Sequence, residues 1–387
     1  MARANANLVA AKAAKQDEFY TQWGDIEREM NAHLEYDPDV FRDKTILLPC
    51  DDPEWSNFTK FFALHFADFG LKKLISTSYA PNSNAGATFY EPTLFETEDP
   101  AYDESKSMER GRVFTLTPED MSGDGRVDID DLRWEYLQGD GDFCSAEVTA
   151  LRDEADMVIT NPPFSLLRPF IAWPVEGEVQ FSIIGSKNAA TYVETFPLVQ
   201  SNQMWLGRGF AGGDAFFRIP EAARTEYAVG VFDAETQTVH FRNVGWLTNI
   251  DHGRRHQPLR LMTMADNVKY SRRKEVRGEE YQTYYNFPEA IEVPYIEAIP
   301  SDFDGIMGVP ITFLDTYNPD QFEIVGNAEN MEQMAELGVD MLGEDFVRAY
   351  KADGGTGSVS AGHRKLGLTK PRHYPAYRRI LIRHRKG

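Results

Sequence analysis

Four consecutive residues, Asn161-Pro162-Pro163-Phe164, are of the types needed to handle a planar exocyclic amine. Such an amine offers N–H donors and only a poor, ring-delocalised lone pair. The Asn161 side-chain oxygen and the Pro162 carbonyl can each accept one N–H, which holds the nitrogen and favours the pyramidal geometry it adopts during attack. The two prolines fix φ and leave few backbone donors, so the turn is stiff and presents bare carbonyls. Phe164 adds a flat face for a base to stack on. The chemistry this suits is transfer of an activated sulfonium methyl to the amine. Positioning in line supplies most of the acceleration, and no strong general base is needed. The plainer alternative is a rigid strand-ending turn.

The elements around the motif favour the chemical reading. Asp156 to Thr160 is a short apolar run, a buried strand that delivers Asn161 at its carboxyl end. Thr45 to Cys50 is a similar run ending in Asp51-Asp52-Pro53. Phe58, Phe61, Phe62, His65, Phe66 and Phe69 follow at helical spacing until Gly70, and Leu74 to Tyr79 is a second strand. Strand–helix–strand implies a parallel sheet, and such sheets bind ligands at the carboxyl ends of their strands. Val179 to Gly185, Met204 to Leu206 and Tyr227 to Phe232 supply further strands, and Val239 to Leu247 alternates in the antiparallel manner. Residues 81–137 are polar and acidic and predict an excursion from the sheet with local hairpins.

The net charge of −21 speaks against a polyanion partner until its distribution is considered. Arg254 to Arg277 holds eight Lys and Arg against Asp266 and Glu275 alone, and the stretch from His363 onward holds nine with no acid. Segregation of this kind suits one basic face on an acidic protein. Asn249, His252, Arg254, Arg255, Arg272, Arg273, Lys274, Arg378 and Arg379 are the candidate contacts for nucleic acid. A satisfied polar turn at Trp246 to His252 is the alternative there, and a core-facing strand through Ile380 to Ile382 is the alternative for the tail. Gly354 to Ser358 reads as a flexible linker. Two cysteines, Cys50 and Cys144, exclude a disulfide framework and fit a reducing cytoplasm. Met1 to Lys15 lacks the apolar stretch of a secretory signal, and no run approaches a membrane span.

Longer blocks carry a family resemblance. Asp17 to Gln22, Cys50 to Pro53 with Ser56 to Phe58, Gly139 to Phe143, Thr160 to Ser165, Trp246 to His252, Asp302 to Leu314 and Tyr317 to Phe322 together resemble the EcoRI-type adenine-specific DNA methyltransferases. The resemblance implies a class I, Rossmann-like methyltransferase fold with a mixed, mostly parallel seven-stranded sheet and a C-terminal DNA-recognition region. It implies methyl transfer from S-adenosyl-L-methionine to adenine N6 of a flipped base in duplex DNA. Tyr20-Thr21-Gln22 is similar to the motif that packs on the cofactor's amino-acid end. Cys50-Asp51-Asp52 occupies the loop that holds the donor, and Asp142-Phe143 is similar to the pair beside the cofactor's adenine. Asn161 to Phe164 is then the catalytic motif.

The chain departs from the usual pattern in two places. Cys50-Asp51-Asp52-Pro53 stands where a Gly-rich loop is usual, and no acid ends the second strand, which leaves Asp51 or Asp52 for the ribose hydroxyls. The expected organisation is a catalytic domain over 1–250 and a recognition region over 251–387, active as a monomer, with a cognate restriction endonuclease as functional companion. Rivals are an RNA-base or protein-glutamine methyltransferase of the same fold, and a DNA-binding regulator without catalysis. Asp120 to Asp131 spaces oxygens in the manner of a calcium loop but ends in Asp rather than Glu, so a solvated acidic turn is preferred and no metal is expected.

Overall fold

The computed structural model describes residues 20–51, 56–80, 101–120, 133–218, 232–233 and 235–385. The expected calcium loop, the strand expected from Tyr227, and Asp52 lie largely or wholly outside them. Two compact units are present: Met1–Ala190 with Met204–Gly253, and Thr191–Gln203 with Arg254–Gly387.

In the first unit the chain builds β1 (Thr45–Pro49), β2 (Lys73–Ser78), β3 (Arg112–Leu116), β4 (Arg133–Tyr136), β5 (Met157–Thr160), β6 (Gln180–Ser186), β7 (Trp205–Leu206) and β8 (Val244–Thr248). They form one eight-stranded sheet in the order β4-β3-β2-β1-β5-β6-β8-β7. The four strands β2, β1, β5 and β6 are parallel, and antiparallel strands flank them on both sides. The continuously apolar runs of β1 and β5 are what strands covered on both faces require, and every residue of both is buried.

The parallel core expected from the sequence is therefore present, and among the described residues the sheet has eight strands where seven were expected. Two of these strands, β3 and β4, come from the acidic region, which was expected to leave the sheet. On β3 the buried Arg112, Phe114 and Leu116 instead alternate with the half-buried Val113 and Thr115, and β3 and β4 extend the sheet at its edge.

Helices α1 (Trp23–Tyr36), α2 (Asn57–Leu64), α3 (Ala146–Glu154) and α4 (Leu167–Glu176) belong to this unit. The expected phenylalanine helix is interrupted at His65 and resumes over Phe66–Phe69. Its rings build the core: Phe61 meets Trp23 at 5.3 Å and Phe62 at 5.4 Å. A small antiparallel sheet, ordered Tyr20–Thr21, Ala215–Arg218, Thr238–Phe241, Phe232–Asp233, turns Ala215, Phe217, Val239 and Phe241 into the same core.

The second unit is organised by a five-stranded sheet ordered Thr283–Tyr284, Phe287–Glu292, Ile306–Pro310, Arg379–His384, Phe322–Asn327. The basic tail supplies its fourth strand, with Ile380, Leu381 and Ile382 fully buried. The tail is thus structural, as the alternative reading had it, because its aliphatic residues outweigh its arginines. The glycine-rich stretch is likewise folded: the Gly357 N–H donates to the Tyr350 hydroxyl at 2.7 Å.

Candidate active site

Chain order reverses between β1 and β5: β1 leads to β2, β3 and β4 on one side, and β5 leads to β6 on the other. Loops leaving the carboxyl ends of such a pair diverge and open a crevice, the usual ligand position in open α/β sheets. The β1 loop begins with Cys50-Asp51 and the β5 loop with Asn161.

Asp51 ties these two loops together. Its carboxylate accepts from the Ser56 hydroxyl at 2.6 Å through Oδ1 and from the Thr160 hydroxyl through Oδ2. Thr160 Oγ1 also lies 2.5 Å from the Pro49 carbonyl, and the Asp51 carbonyl accepts from Ser76 on β2. Asp51 is only 5 % exposed. A carboxylate spent on two internal hydroxyls positions its neighbours, and the ribose role expected of it is not supported by this geometry. Cys50 beside it has φ 66°, a left-handed conformation that costs a non-glycine residue of order 1 kcal/mol and concentrates at functional sites.

The donor-motif segment reaches the same place. Thr21 pairs with Phe217, and the Thr21 carbonyl accepts from Asn57 Nδ2 at 2.7 Å, beside the Ser56 cap of α2. Among the described residues, Thr21 Oγ1 and Gln22 Nε2 are buried polar atoms with no hydrogen-bond partner. Buried groups of this kind call for a ligand or ordered water.

The third expected segment is clamped to the end of β2. Ala80 N–H donates to the Asp140 carbonyl at 2.7 Å, and Gly141 sits at φ 87° so close to Ser78 that a Cβ would lie 2.3 Å from its carbonyl oxygen. Asp142 Oδ1 accepts from Cys144 N at 2.8 Å as the chain enters α3. Tyr79, which sequence reasoning passed over, stands among these groups. Burial first, then the charges of Cys50 and Asp142 and a hydrogen bond to Asp142, push its phenol well above the ordinary tyrosine range. Its position one residue beyond β2, where an acid is usual, was the available signal.

Both expected stacking rings are occupied by protein. Phe143 is 2 % exposed, its ring 4.8 Å from Phe170 and 5.7 Å from Trp173. Phe164 is 6 % exposed, against Phe217 at 6.1 Å and Phe241 at 6.3 Å. They brace the loops that carry Asp142 and Asn161. Pro163 leads into a 3-10 turn over Phe164–Leu166, so the motif is held from both ends.

Several expected nucleic-acid contacts are placed elsewhere. β8 runs antiparallel to β6, with Val244 opposite Ser186 and Thr248 opposite Ser182. Asn249 therefore leaves at the amino end of β6, the opposite edge of the sheet from Asn161, and its Oδ1 accepts from Phe181 N at 2.6 Å. His252 is buried, its Nε2 3.1 Å from the Leu206 carbonyl. In the second unit Arg255 is buried and donates to Asn202. Arg379 forms a forked pair with Glu292, at 3.0 and 2.5 Å to Oε1, and Glu292 also accepts from Tyr284. Burial removes His252 and Arg255, and the pair with Glu292 removes Arg379, from a phosphate-contacting surface; their long-range partners were not visible in local sequence. Arg273 is exposed but paired with Glu297 at 2.6 Å. Arg272, Lys274 and Arg378 are exposed without an ion pair among the described residues, and Arg254 is half-buried.

Among the described residues, no group of His, Cys, Asp and Glu is arranged to hold a metal ion, and no helix is long and apolar enough to cross a membrane. No solved structure matches the chain. The family profile described as adenine-specific methyltransferase EcoRI matches residues 7–385. The chain is 35 % identical over 322 residues to the Type II methyltransferase M.EcoRI of Escherichia coli, covering 83 % of this chain and 89 % of that one. It is 30 % identical over 319 residues to the Type II methyltransferase M.MpnI of Mycoplasma pneumoniae, covering 81 % and 83 %. A strand-borne Asn-Pro-Pro-Phe turn at the switch point and a family match from one end of the chain to the other agree: this chain belongs to the EcoRI family of adenine-specific methyltransferases.

Proposed function

We propose that the chain methylates N6 of adenine in duplex DNA at a specific sequence, taking the methyl group from S-adenosyl-L-methionine and acting on a base turned out of the helix. The observation that carries this reading is the Thr160–Asp51 hydrogen bond, which joins the β1 loop to the turn that begins with Asn161. An adenine amine seated on Asn161 and Pro162 then faces whatever the β1 loop holds.

The residues present fit the cofactor. Gln22 Nε2 can donate to the carboxylate of an amino acid and Thr21 Oγ1 can accept from its ammonium, the Cys50 backbone lines the centre, and Tyr79 with Asp142 suits the adenosine end. The bound cofactor supplies an electrophilic sulfonium methyl. Asn161 Oδ1 and the Pro162 carbonyl orient the amine and take the positive charge that develops on nitrogen as hydrogen bonds. Arg254, Arg272, Lys274 and Arg378 are the phosphate contacts that remain, and the second unit is the recognition region. The Type II label of the relatives extends the reading to a companion endonuclease whose sites this chain protects.

The test is methyl transfer from labelled cofactor to duplex DNA, RNA and protein, followed by identification of the modified group. N6-methyladenine in duplex DNA is expected. Label in RNA or in glutamine, or in nothing, refutes the proposal.

A further inference from the structure

The outward face of the small antiparallel sheet takes no part in the site above. Along Ala215–Arg218 buried and exposed residues alternate: Ala215 and Phe217 point into the core beside Phe164, while Phe216 and Arg218 point out. His240 is the register partner of Phe216, and the two rings stack at 4.7 Å with planes 7° apart. His240 Nε2 lies 2.9 Å from Asp214 Oδ2, and the stack itself holds the phenyl and imidazole planes nearly parallel. Phe216 remains 43 % exposed. Arg218 and Arg242 are both exposed, and neither carries an ion pair among the described residues.

A stacked aromatic face with two exposed arginines that carry no ion pair among the described residues, on a chain of net charge −21, is a composition that fits a polyanion with flat bases. Its place is informative as well. Phe217, on the other side of the same strand, packs on Phe164, so this face lies one sheet thickness from the Asn161 turn and cannot enter the target-base pocket. We propose that it binds the DNA strand flanking the target adenine, Phe216 stacking on a neighbouring base that leaves the helix and Arg218 and Arg242 taking phosphates. The proposal rests on the DNA reading above.

The experiment uses the full chain with two mixed-sequence duplexes, one fully paired and one carrying a single mismatched adenine, whose bases leave the stack at lower cost. Affinity is measured against salt for wild type, Phe216→Ala, Arg218→Ala/Arg242→Ala and the charge reversal Arg218→Glu/Arg242→Glu. All three positions changed are surface positions, and thermal melting confirms that each variant is folded. The double alanine variant is expected to flatten the log–log salt slope by about 0.9 per lost phosphate contact on both duplexes, and the reversal to weaken binding further. Phe216→Ala is expected to lose roughly fivefold or more in affinity on the mismatched duplex, with little change on the paired one. Unchanged salt slope and unchanged affinity in folded variants of an enzyme that still methylates duplex DNA would overturn this proposal alone. Absence of methyl transfer to any duplex by the wild type would instead overturn the reading beneath it.

Discussion

Asn161 depends on residues that do no chemistry themselves. The Thr160 hydroxyl and the Asp51 carboxylate hold the two loops in register, and hydrogen bonds to a charged group are worth about 1.5–3 kcal/mol each. Thr160→Val is expected to lower the melting temperature by several degrees and to reduce methyl-transfer turnover, because it leaves Asp51 short of a donor in a buried place. Thr21 predicts the opposite pattern. Its buried hydroxyl meets no partner among the described residues, so Thr21→Val should leave the free protein as stable as wild type or more so. Cofactor binding should weaken by about tenfold, one hydrogen bond's worth. Calorimetric titration with melting of the free protein separates the two effects; weaker folding with unchanged cofactor affinity would show a structural role only.

The motif residues were legible because their chemistry is local: a proline turn is stiff wherever it occurs. Tyr79 and the structural role of Asp51 were not, since both depend on partners from other strands.

At the level of elements, buried polar groups decide which segments can be removed. α1 is pinned by Glu29 and His33: Glu29 accepts from the Arg208 and Gly209 N–H groups at 3.0 and 3.1 Å, and His33 Nδ1 meets the Asp251 carbonyl at 2.8 Å. Burial lowers the His33 pKa from 6.5 to about 4, against the raising influence of Asp251. The folded form thus resists protonation while the unfolded chain accepts a proton. Stability is full above about pH 6.5 and falls as pH drops toward 4, by up to roughly 3 kcal/mol over the window. His33→Gln should make melting temperature less sensitive to pH across that range; an identical pH profile would exclude His33 as the titrating group.

In the second unit, Arg379→Ala leaves Glu292 buried and uncompensated and is expected to cost about 3–5 kcal/mol. Truncation after Gly362 removes an interior strand of the five-stranded sheet, and loss of soluble protein is the expected result. The four parallel strands were readable from their apolar runs. The antiparallel strands β3 and β4 were not, because a strand with one half-exposed face looks like a polar loop, and in the tail charge counts said nothing of the burial of Ile380, Leu381 and Ile382.

For the whole molecule, an acidic chain that acts on DNA must concentrate its contacts. Arg272 and Lys274 are exposed without acid partners among the described residues, whereas Arg273 beside them is engaged with Glu297. Replacing Arg272 and Lys274 by alanine should reduce the salt slope by about 0.9 per lost contact, alike on specific and unrelated duplexes, because phosphate contacts position without specifying. Anisotropy titrations at several salt concentrations measure this, and an unchanged slope would place the phosphate contacts elsewhere.

The central claim is that Asn161 presents an adenine amine to a methyl donor held by the neighbouring loop. The most direct test is to sequence modified bases in DNA from cells expressing the wild-type chain or Asn161→Ala at matched soluble levels. The account predicts N6-methyladenine at one short sequence with the wild type and none with the variant. Unmodified adenine with the wild type, or equal modification with the variant, would contradict it.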